Sequence, residues 1–194
     1  MANYDLLVIG TGPAGQKAAV QAAKLGKKVG IIEKKEVVGG VCINTGTIPS
    51  KSLREAVLYL SGFRQRSLYG AGYRLKQAIT IEDLAIRSQH VIRNEIRIVQ
   101  DQMRRNGIDM IYGTAGFVDP HRLRIQHAGV AVEHTADFIV IAVGTEPARP
   151  AHIPFDDSHI IDTDGLLTLH HVPSSIVIVG GGVIGTEYAS ILAA

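Results

Sequence analysis

Residues 39–52 read GGVCINTGTIPSKS, and three of them carry usable chemistry: the thiol of Cys42, the hydroxyl of Thr47 and the amine of Lys51. Cys42 is the chain's single cysteine, so no disulfide can close within it. Thr47 stands five residues on, where a second cysteine would complete a short redox loop. A threonine hydroxyl neither ionises usefully nor forms a disulfide. Lys51 follows one helical turn later on a similar face and offers a cation.

A second constellation is built from glycine. Gly10-Thr11-Gly12-Pro13-Ala14-Gly15 fits G-x-G-x-x-G between an apolar run, YDLLVI (4–9), and a stretch with Ala and Val on one helical face that reaches about Lys24. Gly10 permits a tight turn, Gly12 has no side chain to block a pyrophosphate, and Gly15 lets the helix pack close to the strand. The helix N-terminus offers N–H groups and a positive dipole end to an anion. Glu33 ends the next strand, KKVGIIE, where its carboxylate can accept from ribose hydroxyls and repel a 2′-phosphate. The ligand expected there is FAD or NAD rather than NADP. Gly180-Gly181-Gly182-Val183-Ile184-Gly185 is a second match. The acidic position that would separate NAD from NADP there is expected beyond Ala194.

These residues need elements to place them. A strand over 4–9, a helix to about Lys24 and a strand over 28–33 make one βαβ unit. Residues 34–46 read as loop, with Thr47 as N-cap and Pro49 in the first turn of a helix to about Leu60. Residues 61–79 look irregular. A long helix is expected from about Ile81 to Arg105, stopped by Asn106-Gly107, then a strand over 108–113. The runs AGFVD, RLRIQ and VAVEH between turn signals predict a small antiparallel excursion, followed by a parallel strand over 137–144. After a crossing over 147–154, SSIVIV predicts a strand leading into the second glycine turn and a last helix. A parallel pair needs a crossover and a partner strand, and this last unit has neither. The chain therefore reads as the front part of a larger two-dinucleotide protein.

Composition agrees with a globular protein: 194 residues, 46% hydrophobic, 20% charged, formal charge +2. So small a charge, scattered rather than striped, gives no sign of a nucleic-acid partner. No signal-peptide pattern and no apolar run of membrane-spanning length stand out, which makes a cytoplasmic protein the expectation. His170 and His171 are adjacent and share no face, and no metal-ligating spacing supports them; no metal is expected.

The segments VIGTGPAG, EKKEVVGGVCINTGTIPSK, IYGTAGFVDP, IVIAVGTEP and IVIVGGGVIGTEYAS occur in an order that resembles the FAD-dependent pyridine nucleotide–disulfide oxidoreductases. Threonine at position 47, with GTIPSK, GTAGFVD and GVIGTEYASI, is similar to the soluble pyridine nucleotide transhydrogenase branch, whose members pass hydride between NADPH and NAD through FAD. The resemblance implies an α/β fold: a Rossmann-like parallel-sheet FAD domain over 1–148 with a small antiparallel insertion, and the start of a second Rossmann-like NAD(P) domain over 149–194. It implies cofactor contacts from Gly10, Gly12, Pro13, Ala14, Gly15, Glu33, Lys34, Gly40, Val41, Cys42, Thr47 and Lys51. Gly113, Ala115, Ala142, Val143 and Gly144 join them at the first site, and Gly180, Gly182 and Gly185 at the second. Cys42, Thr47 and Lys51 are the candidate catalytic residues; Lys51 is expected near flavin N5, and Cys42 reads as a small residue packed beside the ring in preference to a reactive thiol. Val143 stands where the family has threonine, so a backbone contact survives there and a hydroxyl contact does not. Glu187 resembles the family's glutamate near the nicotinamide.

The resemblance also implies NAD and NADP as substrates and a homo-oligomeric parent. Alternatives are a dihydrolipoamide dehydrogenase-like or NADH dehydrogenase-type flavoenzyme, or a non-catalytic FAD-binding piece. The chain alone is expected to hold FAD weakly and turn nothing over.

Overall fold

The computed structural model describes residues 3–73, 75, 76 and 78–194. Its elements, in order, are β1 (Tyr4–Ile9), α1 (Pro13–Lys24), β2 (Val29–Glu33), α2 (Gly40–Asn44), α3 (Thr47–Leu60), α4 (Arg66–Tyr69), α5 (Ile81–Arg105), β3 (Asp109–Tyr112), β4 (Thr114–Asp119), β5 (Arg122–His127), β6 (Val130–Ile141) and α6 (Val183–Leu192), with single 3₁₀ turns at Phe63–Gln65 and Gly165–Thr168. They form two compact units, Met1–Asn44 with Asn94–Glu146, and Thr45–Arg93 with Pro147–Ala194.

The first unit is an α/β sheet in the order β3-β2-β1-β6-β5-β4. β1 runs parallel to β2 and β6, and β2 parallel to β3, while β5 is antiparallel to β4 and β6. The Leu-, Val- and Ile-rich stretches at 4–9 and 29–33 suit strands that lie inside such a sheet. Leu7, Ile32, Leu123, Ile125 and Ala136 close one core with Tyr4. Each large side chain fully buried there contributes about 1.5–3 kcal/mol relative to exposure.

The expected antiparallel excursion forms from β4, β5 and the first half of β6, and it runs on without a break into the parallel strand. β6 is one twelve-residue strand that changes partner along its length. Residues from Val130 to Thr135 pair with β5, and those from Ala136 to Ile141 pair with β1.

α5 stops at the expected Asn106-Gly107, and α1 ends on a glycine in the same way. Gly26 and Gly107 take positive φ, +76° and +64°. Lys27 N–H donates to the Ala22 carbonyl and Gly26 N–H to Ala23, and Ile108 and Gly107 repeat this on Met103 and Arg104. This is a six-to-one, five-to-two cap that only a residue free to turn left-handed allows cheaply.

In the second unit Leu53, Ala56 and Val57 of α3 pack with Leu84 of α5 and with Tyr188 and Ile191 of α6. Burial pushes the Tyr188 phenol up to about 12, with Glu187 and Asp164 adding to the effect, so it packs as a neutral ring. In the crossing, Arg149 donates to Asp157 at 2.5 Å and to Asp162 at 2.7 Å. Asp156 accepts backbone N–H groups from Ser158, His159 and Ile160, which hold its carboxyl well below the usual range.

Four expectations are corrected. Residues 34–46 are not all loop, because α2 forms directly after the double glycine. Thr47 is the first helical residue of α3; Gly46 is the N-cap, and no side chain caps that end. Residues 61–79 include the 3₁₀ turn and α4, although Arg74 and Gln77 lie outside the described residues. SSIVIV forms no strand, for no neighbour among the described residues pairs with it, and Val177 and Val179 are 89% and 94% exposed. Strand propensity there has no ladder to act on.

The glycines of the first turn predict a contrast in ligand-free stability. A Cβ at Gly15 would lie 1.9 Å from the Gly10 carbonyl oxygen, whereas one at Gly12 would meet nothing within 4 Å. Gly15→Ala should therefore cost about 1–3 kcal/mol in urea denaturation as the helix is forced off the strand. Gly12→Ala should leave the ligand-free midpoint where it was.

Candidate functional site

The sheet fixes where a ligand can lie. From β1 the chain steps outward to β2 and β3, then returns on the other side of β1 as β6, so strand order reverses between β1 and β6. In open α/β sheets the crevice beyond the carboxyl ends of such a strand pair takes ligands. Here it is lined by backbone. Gly10, at φ +106°, lies so close to β6 that a Cβ on it would stand 2.2 Å from the Ala142 carbonyl oxygen and 3.3 Å from Val143 Cα. Gly10 N–H donates to Ile32 at 2.8 Å, and Ala142 N–H donates to Ile9 at 2.8 Å. Gly144, at φ +71°, turns the chain away from the sheet.

α1 begins on this crevice. Gly12 is its N-cap, with extended backbone and no side-chain cap, and Pro13 opens the helix. The first-turn N–H groups of Ala14 and Gly15 lack intrahelical acceptors, as at any helix start. Open space at the Gly12 Cβ position beside those donors fits a pyrophosphate, so the residues present suit a dinucleotide.

Glu33 ends β2 at 7% exposure and Thr11, inside the glycine turn, is 1% exposed. Thr11 donates to Glu33 Oε2 twice, from its N–H at 3.2 Å and from its hydroxyl. Lys35 N–H donates to Glu33 Oε1 at 3.0 Å. A buried carboxylate costs free energy unless its oxygens are satisfied, and each hydrogen bond to it returns about 1.5–3 kcal/mol. The Thr11 hydroxyl also accepts the Gly39 N–H at 3.0 Å. Thr11 is absent from the sequence-predicted set, which takes the motif's other x positions, Pro13 and Ala14, but not this one. The available signal was a hydroxyl next to Gly10, with an acidic residue closing the neighbouring strand.

Gly39 and Gly40 take φ +106° and +61°, and a Cβ on Gly40 would stand 3.0 Å from Gly12 Cα. The segment before α2 thus rests on the glycine turn. Asn44 Nδ2 ties the short helix back to the carbonyls of Val38 and Gly40 at 3.0 and 2.9 Å. Cys42 lies half-buried on α2, between exposed Val41 and buried Ile43. Lys34 is exposed. Gly113 meets β2 through its backbone, donating to the Glu33 carbonyl at 2.8 Å, and Ala115 packs against the core cluster. The structure therefore gathers Gly10, Gly12, Gly15, Glu33, Gly40, Gly113, Ala142 and Val143 around the ends of β1, β2, β3 and β6.

The remaining predicted residues belong to the second unit. Thr47 and Lys51 are exposed on the first turns of α3. Ser50, between them, is buried and donates to Glu187 Oε1 of α6 at 3.4 Å. The second glycine turn copies the first. Gly180 has φ +113°, Gly182 is the extended N-cap of α6, and Thr186 N–H donates to the Gly182 carbonyl at 3.0 Å, as Gln16 does to Gly12. A Cβ on Gly185 would stand 2.3 Å from the Gly180 carbonyl oxygen.

A family model described as pyridine nucleotide-disulphide oxidoreductase matches residues 4–194. A soluble pyridine nucleotide transhydrogenase of Mycobacterium bovis BCG is 54% identical over all of this chain and 42% of its own length. One from Colwellia psychrerythraea is 42% identical over 97% of this chain and 41% of its own. Among solved structures, the Cu(II) complex of the HOCl-induced flavoprotein disulfide reductase RclA from Escherichia coli superposes with a TM-score of 0.82 at 29% identity, over all of this chain and 40% of that one. The chain spans about two fifths of the length of these relatives. No helix among the described residues is long and apolar enough to cross a membrane. With its glycine turns, sheet order and matched span taken together, the chain belongs to the pyridine nucleotide-disulphide oxidoreductase family.

Proposed function

We propose that the β1–α1 turn holds the pyrophosphate of FAD, and that the protein containing this chain passes hydride between NADPH and NAD without a redox disulfide. The observation that carries this reading is Thr47 in the position where a second thiol would complete the Cys42 frame. The names of the similar mycobacterial and Colwellia proteins support it. The structural likeness to a disulfide reductase favours the same flavin site, but a lone thiol in this frame gives no dithiol relay.

Bound flavin supplies reversible hydride acceptance. The chain's own residues hold and orient it. Glu33 takes the ribose hydroxyls, the helix start takes the pyrophosphate, and the backbone of Gly113, Ala142 and Val143 borders the crevice. Lys51 supplies a cation for charge that develops on a reduced ring. Thr47 offers a hydroxyl that ends no helix by capping it. Cys42 fills space as a small, soft side chain. The Gly180–Gly185 turn is assigned to a nicotinamide dinucleotide. Residues 1–148 form the leading segment of the FAD domain and 149–194 the first part of the NAD(P) domain. A cytoplasmic homo-oligomer belongs to the same reading.

The test is hydride exchange from NADPH to an NAD analogue by the intact protein, before and after alkylation with iodoacetamide. Exchange should persist after alkylation and in Cys42→Ser. Loss of exchange in both would overturn a disulfide-free route. Gly12→Val, whose side chain enters the open pyrophosphate space, should purify without flavin and melt at the same temperature as the flavin-stripped unsubstituted protein. A Gly12→Val protein carrying a full complement of FAD would show that the first glycine turn is misassigned.

A further inference from the structure

The position usually counted as free in the first glycine motif holds the most enclosed hydroxyl of the site. Thr11 is 1% exposed and its Oγ1 is used in both directions, donating to Glu33 Oε2 and accepting the Gly39 N–H at 3.0 Å. Its own N–H adds a second bond to the same carboxylate oxygen at 3.2 Å, and its carbonyl accepts from Gln16 Nε2 at 2.7 Å. The residue is thus pinned from the helix side by Gln16 and from the α2 side by Gly39.

A carboxylate has two oxygens and about four acceptor positions. Oε2 of Glu33 is filled by the two Thr11 donors, and Oε1 takes the Lys35 N–H at 3.0 Å. The acceptor position left over lies on Oε1. We propose that Thr11 is a positioning residue for ribose recognition: by occupying Oε2, it fixes the rotation of the Glu33 carboxylate so that Oε1 is the oxygen presented to a ribose hydroxyl. Without the Thr11 hydroxyl, Oε2 keeps a single donor and the carboxylate gains a choice of rotamer. The Gly39 N–H, buried, also loses its acceptor.

This inference rests on the proposal that the first turn binds FAD, and its test separates the two. Ligand-free protein is titrated with FAD, with FAD carrying 2′-deoxyadenosine, and with FMN, following flavin fluorescence. The unsubstituted protein should prefer FAD to the deoxy form by about tenfold or more, the range for a hydrogen bond to a charged group. Thr11→Val should lower FAD affinity by about tenfold and bring that preference close to one, with FMN affinity unmoved. Thr11→Ser should restore both the affinity and the preference. A general loss of packing would weaken FAD, deoxy-FAD and FMN alike and leave the ratio intact. If Thr11→Val gives no cooperative melting transition, Thr11→Cys, similar in size but a poor donor, replaces it with the same expectation. A Thr11→Val or Thr11→Cys protein that keeps the wild-type preference overturns the positioning role while FAD binding stands. Failure of the unsubstituted protein to bind FAD at all overturns both.

Discussion

The site depends on a close approach that side chains forbid. α1 starts so near the end of β1 that the Gly10 carbonyl oxygen occupies the place of a Cβ on Gly15, and Gly10 itself sits against the Ala142 carbonyl of β6. Two missing methyl groups therefore set the distance between the helix start and the strand-order reversal. Everything that could handle an anion follows from that distance. The helix N–H groups face a crevice rather than a layer of side chains, and Gly12 leaves the crevice open where the backbone is already extended.

The second glycine turn shows how local this constraint is. It reproduces the same positive φ, the same extended N-cap and the same carbonyl-to-glycine approach. Yet the residues before it form no strand. The turn is thus a property of five or six residues and the helix they start, whereas the strand is a property of a sheet. A pleated segment is stabilised by cross-strand neighbours, and Val177 and Val179 have none among the described residues. The same physics explains why Ile31 and Ile32, no more apolar, form a strand with partners on both sides.

That division marks what was legible in the sequence. β1, α1, β2, α3, α5 and β3 were readable because their signals are local: an apolar run, a glycine that must turn left-handed at 107, a proline near a helix start. β6 was read as two runs because its change of partner at Thr135 and Ala136 is invisible in a single strand's pattern. α2 was missed because Gly39 and Gly40 read as breakers, when their positive φ values are what let a short helix begin against Gly12. Thr47 was read as a cap because threonine often is one, but Gly46 supplied that position without a side chain. Among site residues the glycines and Glu33 announced themselves by spacing. Thr11 did not, since its role exists only once β2 brings Glu33 beside the turn.

The same geometry accounts for the frame around Cys42 without invoking a partner thiol. Gly39 is held by Thr11 through its N–H, Gly40 lies on Gly12, and Asn44 binds the carbonyls at both ends of the bend. Gly39 reaches the Glu33 carboxylate through Thr11, Gly40 rests on the glycine turn, and Asn44 holds the bend that carries them both. A threonine rather than a thiol at position 47 disturbs none of those contacts, because none of them passes through sulfur. Gly39, Gly40 and Asn44 thus hold the α2 bend against the glycine turn with no sulfur in any contact. Cys42, half-buried on α2, takes no part in any of these contacts.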